Sequence, residues 1–376
     1  MPLLPYRSYV LISREQIARN YRSVRAAAGR NVGVMGVVKA DAYGHGAVEV
    51  ARILAAEGAA WLAVSSVPEG VALRHAGIQA HILVMTGFLP YEWQNMVTFS
   101  LTPAVHSLSD VAELNRMARD SGRTVDYHLK IDSGMHRMGT RASAAEIIGV
   151  LRSTTHANLD GLMTHFASAA DFTSSQTEEQ SAYFARIVEE LRQAGITPAH
   201  IHLSSTNALA YQRNPAWLTM VRPGHALYGY VSPTRGEAPK PVLDVKPVLT
   251  WRAKIMTVKD VPEGALVGYG GSYRAPQAMR VAVIAAGYAD GVPHRLSNRG
   301  KVIAAGRLTP ILGTVCMDLT TIDISHASAL GPGDEVTLLG HEGDAHLDAQ
   351  QIARIAGTIS YNILCGIGAR VERVFV

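Results

Sequence analysis

Val37-Val38-Lys39-Ala40-Asp41-Ala42-Tyr43-Gly44-His45-Gly46 puts a lysine where the apolar run Val34 to Val38 stops. Apolar, β-rich residues read as a buried strand, and Gly44 and Gly46 let the chain turn into the helical pattern that follows. A lysine at such a strand end is costly if it stays charged and unpaired. Burial can also pull its pKa down and free the amine for Schiff-base chemistry. On this stretch alone both readings stand, a catalytic lysine or a salt-bridged structural one.

Working outward, residues 8–12 read as a strand, and Ser13 is the expected N-cap of an amphipathic helix over 14–28. Short apolar strands are expected near 34–38, 60–64, 81–85, 101–105, 125–131, 158–164, 199–203 and 219–222. Helical patterns lie between most of them, at 46–57, 68–76, 108–120, 143–153 and 175–194. The segments after the third and seventh strands have no clear pattern. Eight strands alternating with helices predict an α/β fold, a (β/α)8 TIM-like barrel. The competing open, doubly wound sheet would carry a GxGxxG turn after its first strand, where Lys39 stands instead.

The texture changes at the turn-rich connector Ser-Pro-Thr-Arg-Gly-Glu-Ala-Pro-Lys-Pro, which starts at Ser232. Beyond it short strands are expected at 248–258, 265–269, 280–286, 301–304, 309–315, 319–324, 335–339 and 368–376, with one helix at 349–356. The predicted domains are therefore a barrel over 1–240 and a mainly-β domain, sandwich or barrel-like, over 241–376. The first ~10 residues are expected to pack with the second domain.

Composition narrows the function. Of 376 residues 48% are hydrophobic and 18% charged, as in globular enzymes and unlike disordered chains. The net charge of +4 comes from scattered bases, which argues against nucleic acid as a partner. Cys316 and Cys365 have no metal-binding spacing and are expected to be buried free thiols, with no metal site. No secretory signal and no apolar run of membrane-spanning length are visible, so a cytoplasmic setting without a membrane partner is expected.

In such a barrel the chemistry gathers at the carboxyl ends of the strands. Strand one ends at Lys39, with Tyr43 just beyond; strand five runs His128-Leu129-Lys130-Ile131-Asp132 and continues through Arg137 to Gly139. Strand six finishes at Thr164-His165, strand seven leads into Ser204-Ser205-Thr206-Asn207, and strand eight into Arg222-Pro223-Gly224-His225. Hydroxyls, a glycine and free backbone N–H groups in the last two loops suit a phosphate. A phosphate site with a strand-end lysine suggests pyridoxal phosphate. Each residue also has a structural reading: Arg137 on the surface, His165 in the core, Ser204 to Thr206 as a helix cap, Arg222 paired with a barrel carboxylate.

Seven segments in order resemble the alanine racemase family: 37–46, 130–139, 221–229, 267–273, Gly-Tyr-Ala-Asp-Gly at 287–291, Cys-Met-Asp at 316–318 and Ile-Ser-Tyr-Asn at 359–362. The resemblance implies a pyridoxal 5'-phosphate-dependent isomerase that interconverts L- and D-alanine, supplying D-alanine for peptidoglycan or serving alanine catabolism. It implies two catalytic bases, Lys39 and Tyr269, the latter reaching the neighbouring subunit of a homodimer with shared active sites. It implies cofactor contacts from Lys39, Tyr43, Arg137, His165, Ser205 or Thr206, Arg222, Gly224, His225 and Tyr361. Arg137 and Met317 would bind the substrate, Lys130 matches a lysine carried as a carbamate, and Tyr288, Asp318 and Tyr361 would line the access corridor.

This chain departs from the family's pattern in several places. Ser204-Ser205-Thr206 stands where Ala-Asn-Ser is frequent, His225 where isoleucine is usual, and His294 and Thr314 where arginines are common. The alternatives are a racemase of serine or broader range and a decarboxylase of the same plan. A pyridoxal phosphate-binding barrel without activity is a third, and such proteins lack the second domain.

Overall fold

The computed structural model describes residues 5–213 and 218–376. Strand β1 (Ser8–Ile12) and helix α1 (Arg14–Ala28) come first, and Ser13 caps α1 by accepting the Gln16 N–H at 3.2 Å. Then follow β2 (Gly33–Val37), α2 (Lys39–Gly44), α3 (Ala47–Ala56), β3 (Trp61–Val64), α4 (Val67–His75), β4 (His81–Val84), α5 (Trp93–Thr98), β5 (Thr102–Val105) and α6 (Leu108–Asp120). The alternation continues with β6 (Val125–Lys130), α7 (Ala144–Ser153), β7 (Ala157–Met163), α8 (Gln176–Gln193), β8 (His200–His202), α9 (Thr206–Ala210) and β9 (Met220–Val221). The two unpatterned segments thus carry the short helices α5 and α9, each too brief for a 3.6-residue period to show.

The first unit comprises residues 17–42 and 47–246. Its eight strands are parallel, in the order β8-β7-β6-β5-β4-β3-β2-β9. The ends meet outside the strands proper: Thr219 N–H donates to Ile201 O at 3.1 Å and Arg222 N–H to Ser204 O at 2.9 Å. This is the expected (β/α)8 barrel. Its helices cover the strands with a buried apolar layer that includes Val105, Leu129, Leu162, Ile147 and Phe184. Burial of that kind contributes about 25 cal/mol per Å² of apolar surface.

Helix α2 is not an ordinary helix. Ala40, Asp41, Ala42 and Tyr43 have φ of 53°, 51°, 54° and 56°, a single left-handed turn built without glycine. L-residues so placed cost roughly 1–2 kcal/mol each, on the order of 4–8 kcal/mol for the turn. Hydrogen bonds hold it: Ala42 N–H donates to Val38 O at 2.9 Å, and Ala40 N–H to Glu69 Oε1 at 2.7 Å. The Asp41 carboxylate accepts the Ala47 N–H at 2.7 Å, and the other Glu69 oxygen takes the Ser65 and Ser66 N–H groups.

The second unit comprises the described residues up to Gln16, Tyr43–Gly46 and residues 247–376. Its strands are β10 (Leu249–Val261), β11 (Leu266–Val267), β12 (Tyr273–Arg274), β13 (Met279–Ile284), β14 (Lys301–Ala304), β15 (Arg307–Pro310), β16 (Thr320–Asp323), β17 (Glu335–Glu342), β18 (Ala345–Leu347) and, after the helices, β19 (Glu372–Phe375). The main sheet runs β15-β14-β17-β10-β1-β19, and β10, with two register shifts, also pairs β13. So β1 is a strand of this β domain, antiparallel to β10 and parallel to β19; residues 1–4 of the N-terminal segment lie outside the described residues. Helix α10 (Ala349–Ala356) is capped by Asp348, which accepts from Gln351 N–H at 2.8 Å, and α11 (Ser360–Cys365) follows. The sequence reading passed over β12, β18 and α11, whose patterns span only 2, 3 and 6 residues. It also placed both thiols in the interior; Cys365 is exposed and Cys316 partly so.

The C-terminal segment of this unit clasps residues 43–46. A Cβ on Gly44, at φ 80°, would lie 2.4 Å from Leu364 O, and one on Gly46 would lie 3.2 Å from the Phe375 ring. Gly44→Ala is therefore expected to destabilise the protein by about 2–4 kcal/mol. Urea unfolding of the variant against wild type measures this, and a change under about 0.5 kcal/mol would contradict the assigned strain.

Candidate active site

The barrel unit gathers cations at the carboxyl ends of its strands. Lys39 follows β2 and is partly exposed, Lys130 ends β6 and is buried, and Arg222 follows β9 and is 3% exposed. Arg137 lies exposed on the loop after β6. That loop is clipped at its base, where Asp132 N–H donates to Thr140 O and Thr140 N–H to Lys130 O, both at 2.9 Å. Asp132 Oδ1 accepts the N–H groups of Gly134, Met135 and His136 at 3.0–3.1 Å. Burial pushes the Asp132 pKa up, but these three donors win and hold it below the usual carboxylate value. Lys130 moves the other way. Burial, then Arg222, Arg137 and Lys39, bring its ammonium down to about 8, with Asp132 opposing.

Arg222 is fixed by four acceptors. Its Nη1 donates to His202 Nδ1 at 2.7 Å, and its Nη2 to Thr164 O at 2.7 Å, to His165 Nδ1 at 3.3 Å and to Leu203 O at 3.4 Å. Among the described residues no carboxylate pairs with it directly. Burial lowers its pKa to about 10, which leaves it charged at neutral pH. His165 is held far below the usual histidine range by burial and then by Arg222, Lys130, Arg137 and Lys39. Because its Nδ1 accepts from Arg222, the neutral ring carries its proton on Nε2.

The expected phosphate loops meet where β8 and β9 end. Buried Thr206 Oγ1 accepts Gly224 N–H at 3.2 Å and Ala226 N–H at 3.1 Å, so its own proton is left to donate elsewhere. Ser205 is the N-cap residue of α9 but makes no side-chain capping bond, so the helix-cap reading of its hydroxyl falls. His225 is 1% exposed and its ring stacks on Tyr230 at 5.1 Å; its backbone rather than its ring is the group offered at this turn.

The remaining expected residues belong to the β unit. Tyr43 and Tyr361 face each other with ring centroids 5.9 Å apart. Burial, then Tyr361 and Cys365, raise the Tyr43 pKa well above its normal value, so its hydroxyl is a donor. Tyr269 is 75% exposed, on a tight turn among Gly268, Gly270 and Gly271, all at positive φ. Thr314 steadies that turn by donating from Oγ1 to Tyr269 O at 3.1 Å. Met317 and Asp318 are exposed, and a Cβ on Gly287 would lie 2.3 Å from Met317 O, so the glycine seats this loop. Asp290 accepts the Gly287 N–H at 2.8 Å, and Arg370 joins Asp290 to Asp318 at 2.7 and 2.6 Å. Tyr288 is exposed, its ring 6.2 Å from that of His294.

Sequence reasoning missed Glu69, which ties down the left-handed turn, and the three residues behind Arg222: His202, His128 and Asp160. Histidines inside otherwise apolar parallel strands were the available signal. Among the described residues no cluster of three or more metal-binding side chains occurs, and no helix is long and apolar enough to cross a membrane.

Comparison with known proteins gives one answer over the whole chain. The family model for the N-terminal domain of alanine racemase matches residues 12–233, and that for its C-terminal domain matches residues 248–375. An alanine racemase of Halothermothrix orenii is 40% identical over 357 residues, covering 95% of this chain and 93% of its own. One of Synechocystis is 37% identical over the full length of both. Among solved structures, the alanine racemase of D-cycloserine-producing Streptomyces lavendulae has a TM-score of 0.91 at 32% identity, covering 99% of this chain and 98% of its own. That of Bartonella henselae, described with covalently bound pyridoxal phosphate, has a TM-score of 0.87 at 25% identity, with 99% and 100% covered.

The free proton of Thr206 separates the two hydroxyls. Thr206→Val is expected to weaken binding of pyridoxal 5'-phosphate by about tenfold, while Ser205→Ala stays within about twofold. Absorbance titration of the stripped protein decides this, and the reverse order would assign the site to Ser205.

Proposed function

The chain belongs to the alanine racemase family, and from that premise we propose which of its residues perform each part of the reaction. The protein is a pyridoxal phosphate-dependent amino-acid racemase that interconverts L- and D-alanine. The observation that carries the assignment of residues is the cluster of Lys39, Lys130, Arg137 and Arg222 with Asp132 as its carboxylate, beside the Thr206–Gly224 turn. Lys39, Arg137 and Arg222 in that cluster fit a phosphate-bearing, anionic cofactor and a substrate carboxylate, and they would also offset the charge of a carbamate on Lys130.

Lys39 would hold the cofactor, and Thr206 with the Gly224 and His225 backbone would bind its phosphate, joined by Tyr43 and Tyr361. Arg222 would serve the ring nitrogen, and Arg137 the phenolic oxygen and the substrate carboxylate. When bound, the cofactor supplies an electron sink for the carbanion left by loss of the α-proton. Racemisation needs a base on each face of that carbanion. Lys39 serves one face and Tyr269 of the partner subunit the other. A free tyrosine has a pKa near 10, so Tyr269 needs a cationic or hydrogen-bonding setting to serve as a base. Met317 of the partner subunit contributes its backbone N–H to the substrate carboxylate, and Tyr288, Asp318 and Tyr361 line the access route. Exposure of Tyr269 and Met317 on glycine-seated turns supports a homodimer with shared sites. The proposed setting is the cytoplasm, with the reaction supplying D-alanine for peptidoglycan or serving alanine catabolism.

Arg222 weighs against a decarboxylase. It stays charged at neutral pH and can donate a hydrogen bond to the ring nitrogen without surrendering its proton, whereas a carboxylate there would hold that nitrogen protonated.

Two measurements test the assignment. Tyr269→Phe is expected to lower racemisation by about 10²–10⁴-fold while exchange of one enantiomer's α-proton through Lys39 persists; full racemisation in the variant would remove Tyr269 from the mechanism. Lys130 is proposed to carry a carbamate, which forms only on the neutral amine. Its carbon-13 signal from labelled bicarbonate is then expected to grow as pH rises through the Lys130 pKa of about 8 and to vanish in Lys130→Ala. A signal unchanged in that variant would place the carbamate elsewhere.

A further inference from the structure

Behind Arg222 a line of polar groups descends into the barrel. Arg222 Nη1 lies 2.7 Å from His202 Nδ1, His202 Nε2 lies 2.9 Å from His128 Nδ1, and His128 Nε2 lies 3.3 Å from Asp160 Oδ2. Both histidines are 0% exposed, whereas the Asp160 side chain is 24% exposed. The order of hydrogens follows from the first link. A guanidinium can only donate, so His202 Nδ1 accepts and its proton sits on Nε2. That N–H donates to His128 Nδ1, which leaves the His128 proton on Nε2, aimed at the carboxylate. All three bonds therefore point one way, from a buried cation to an anion. Burial lowers both histidine pKa values, and the bond from His128 lowers that of Asp160, which keeps two neutral rings between opposite charges.

The backbone makes room for the line. His128 is on β6 and His202 on β8, with β7 between them, and the residue of β7 level with His128 is Gly161. A Cβ on Gly161 would lie 2.5–2.6 Å from the His128 ring atoms. Without a side chain at this position, the two rings meet across the intervening strand. A register shift at Tyr127/His128 accompanies the crossing. The Trp61 ring closes one side, its centroid 5.1 Å from that of His128, and His200 Nε2 stands 3.8 Å from Asp160.

We propose that Asp160, His128 and His202 are positioning residues for Arg222: their one-way hydrogen-bond chain fixes the guanidinium plane and the N–H groups it has left for the cofactor. The inference rests on the assignment of Arg222 to the ring nitrogen. Of five guanidinium N–H groups, one is committed to His202 and two to Thr164, Leu203 and His165. The Nε–H and one Nη1–H remain. With the chain broken at its anionic end, the His128 Nε2–H loses its acceptor; Arg222 still holds His202 Nδ1 as an acceptor, but the two rings are no longer anchored from the other end. The guanidinium then turns, and its control over the ring nitrogen weakens.

The test combines spectroscopy with product analysis. In the holoenzyme labelled with nitrogen-15 histidine, and again after the cofactor is stripped, His128 and His202 are expected to be protonated on Nε2 alone. An Nδ1-protonated His202 in either state overturns the chain without reference to what Arg222 does. In Asp160→Ala, and in Gly161→Ala, which pushes the His128 ring aside, the nitrogen-15 signals of both rings are expected to shift as their hydrogen bonds weaken, with the protons still on Nε2. Pyruvate formed per racemisation event, the product left when the amino group stays on the cofactor, is expected to rise about tenfold. Unshifted signals in both variants overturn the proposal. Shifted signals with an unchanged pyruvate ratio overturn the positioning role.

Discussion

Like charges held together at the barrel mouth are the constraint on which this site depends. Lys39, Lys130, Arg137 and Arg222 approach closely enough that the other three each depress the Lys130 pKa. Isolated cations would not stay so placed, because all repel one another and the buried Lys130 and Arg222 also pay in lost solvation. Strand ends place Lys39, Lys130 and Arg222, and hydrogen bonds to fixed acceptors hold Arg222 in particular. An anion entering this field is bound by what the protein already had to assemble.

The left-handed turn after Lys39 solves a related problem. The strand that ends at Lys39 turns away at once, and α2 does so within six residues. Its strain is met locally by the Glu69 carboxylate and the Asp41–Ala47 bond, and in the β unit by the segment that grips Gly44 and Gly46. Backbone strain of this kind collects at functional sites, which accords with the role proposed for Lys39.

The barrel could be read from the sequence because parallel strands buried on both faces are written as apolar runs, and their helices carry a 3.6-residue period. The strand-end residues could be read because a lysine, an arginine or a serine breaks those runs at Lys39, Arg222 and Ser204. Other features left no such trace. Four left-handed residues at 40–43 contain no glycine, so nothing local marks them. The Arg222–His202–His128–Asp160 line joins positions separated by 20, 74 and 32 residues, and only the side-chain-free Gly161 makes it possible. Thr206 was distinguishable from Ser205 only once the Gly224 and Ala226 N–H groups were seen to converge on its hydroxyl.

The most direct test of the account follows chirality and isotope together. Purified protein, supplied with pyridoxal 5'-phosphate, is incubated with L-alanine in heavy water. The account predicts D-alanine carrying deuterium at the α-carbon, because the proton removed on one face is replaced from the other by a base in exchange with solvent. L-Alanine that gains α-deuterium without inversion would contradict the two-face assignment, and alanine that gains neither would contradict the activity itself.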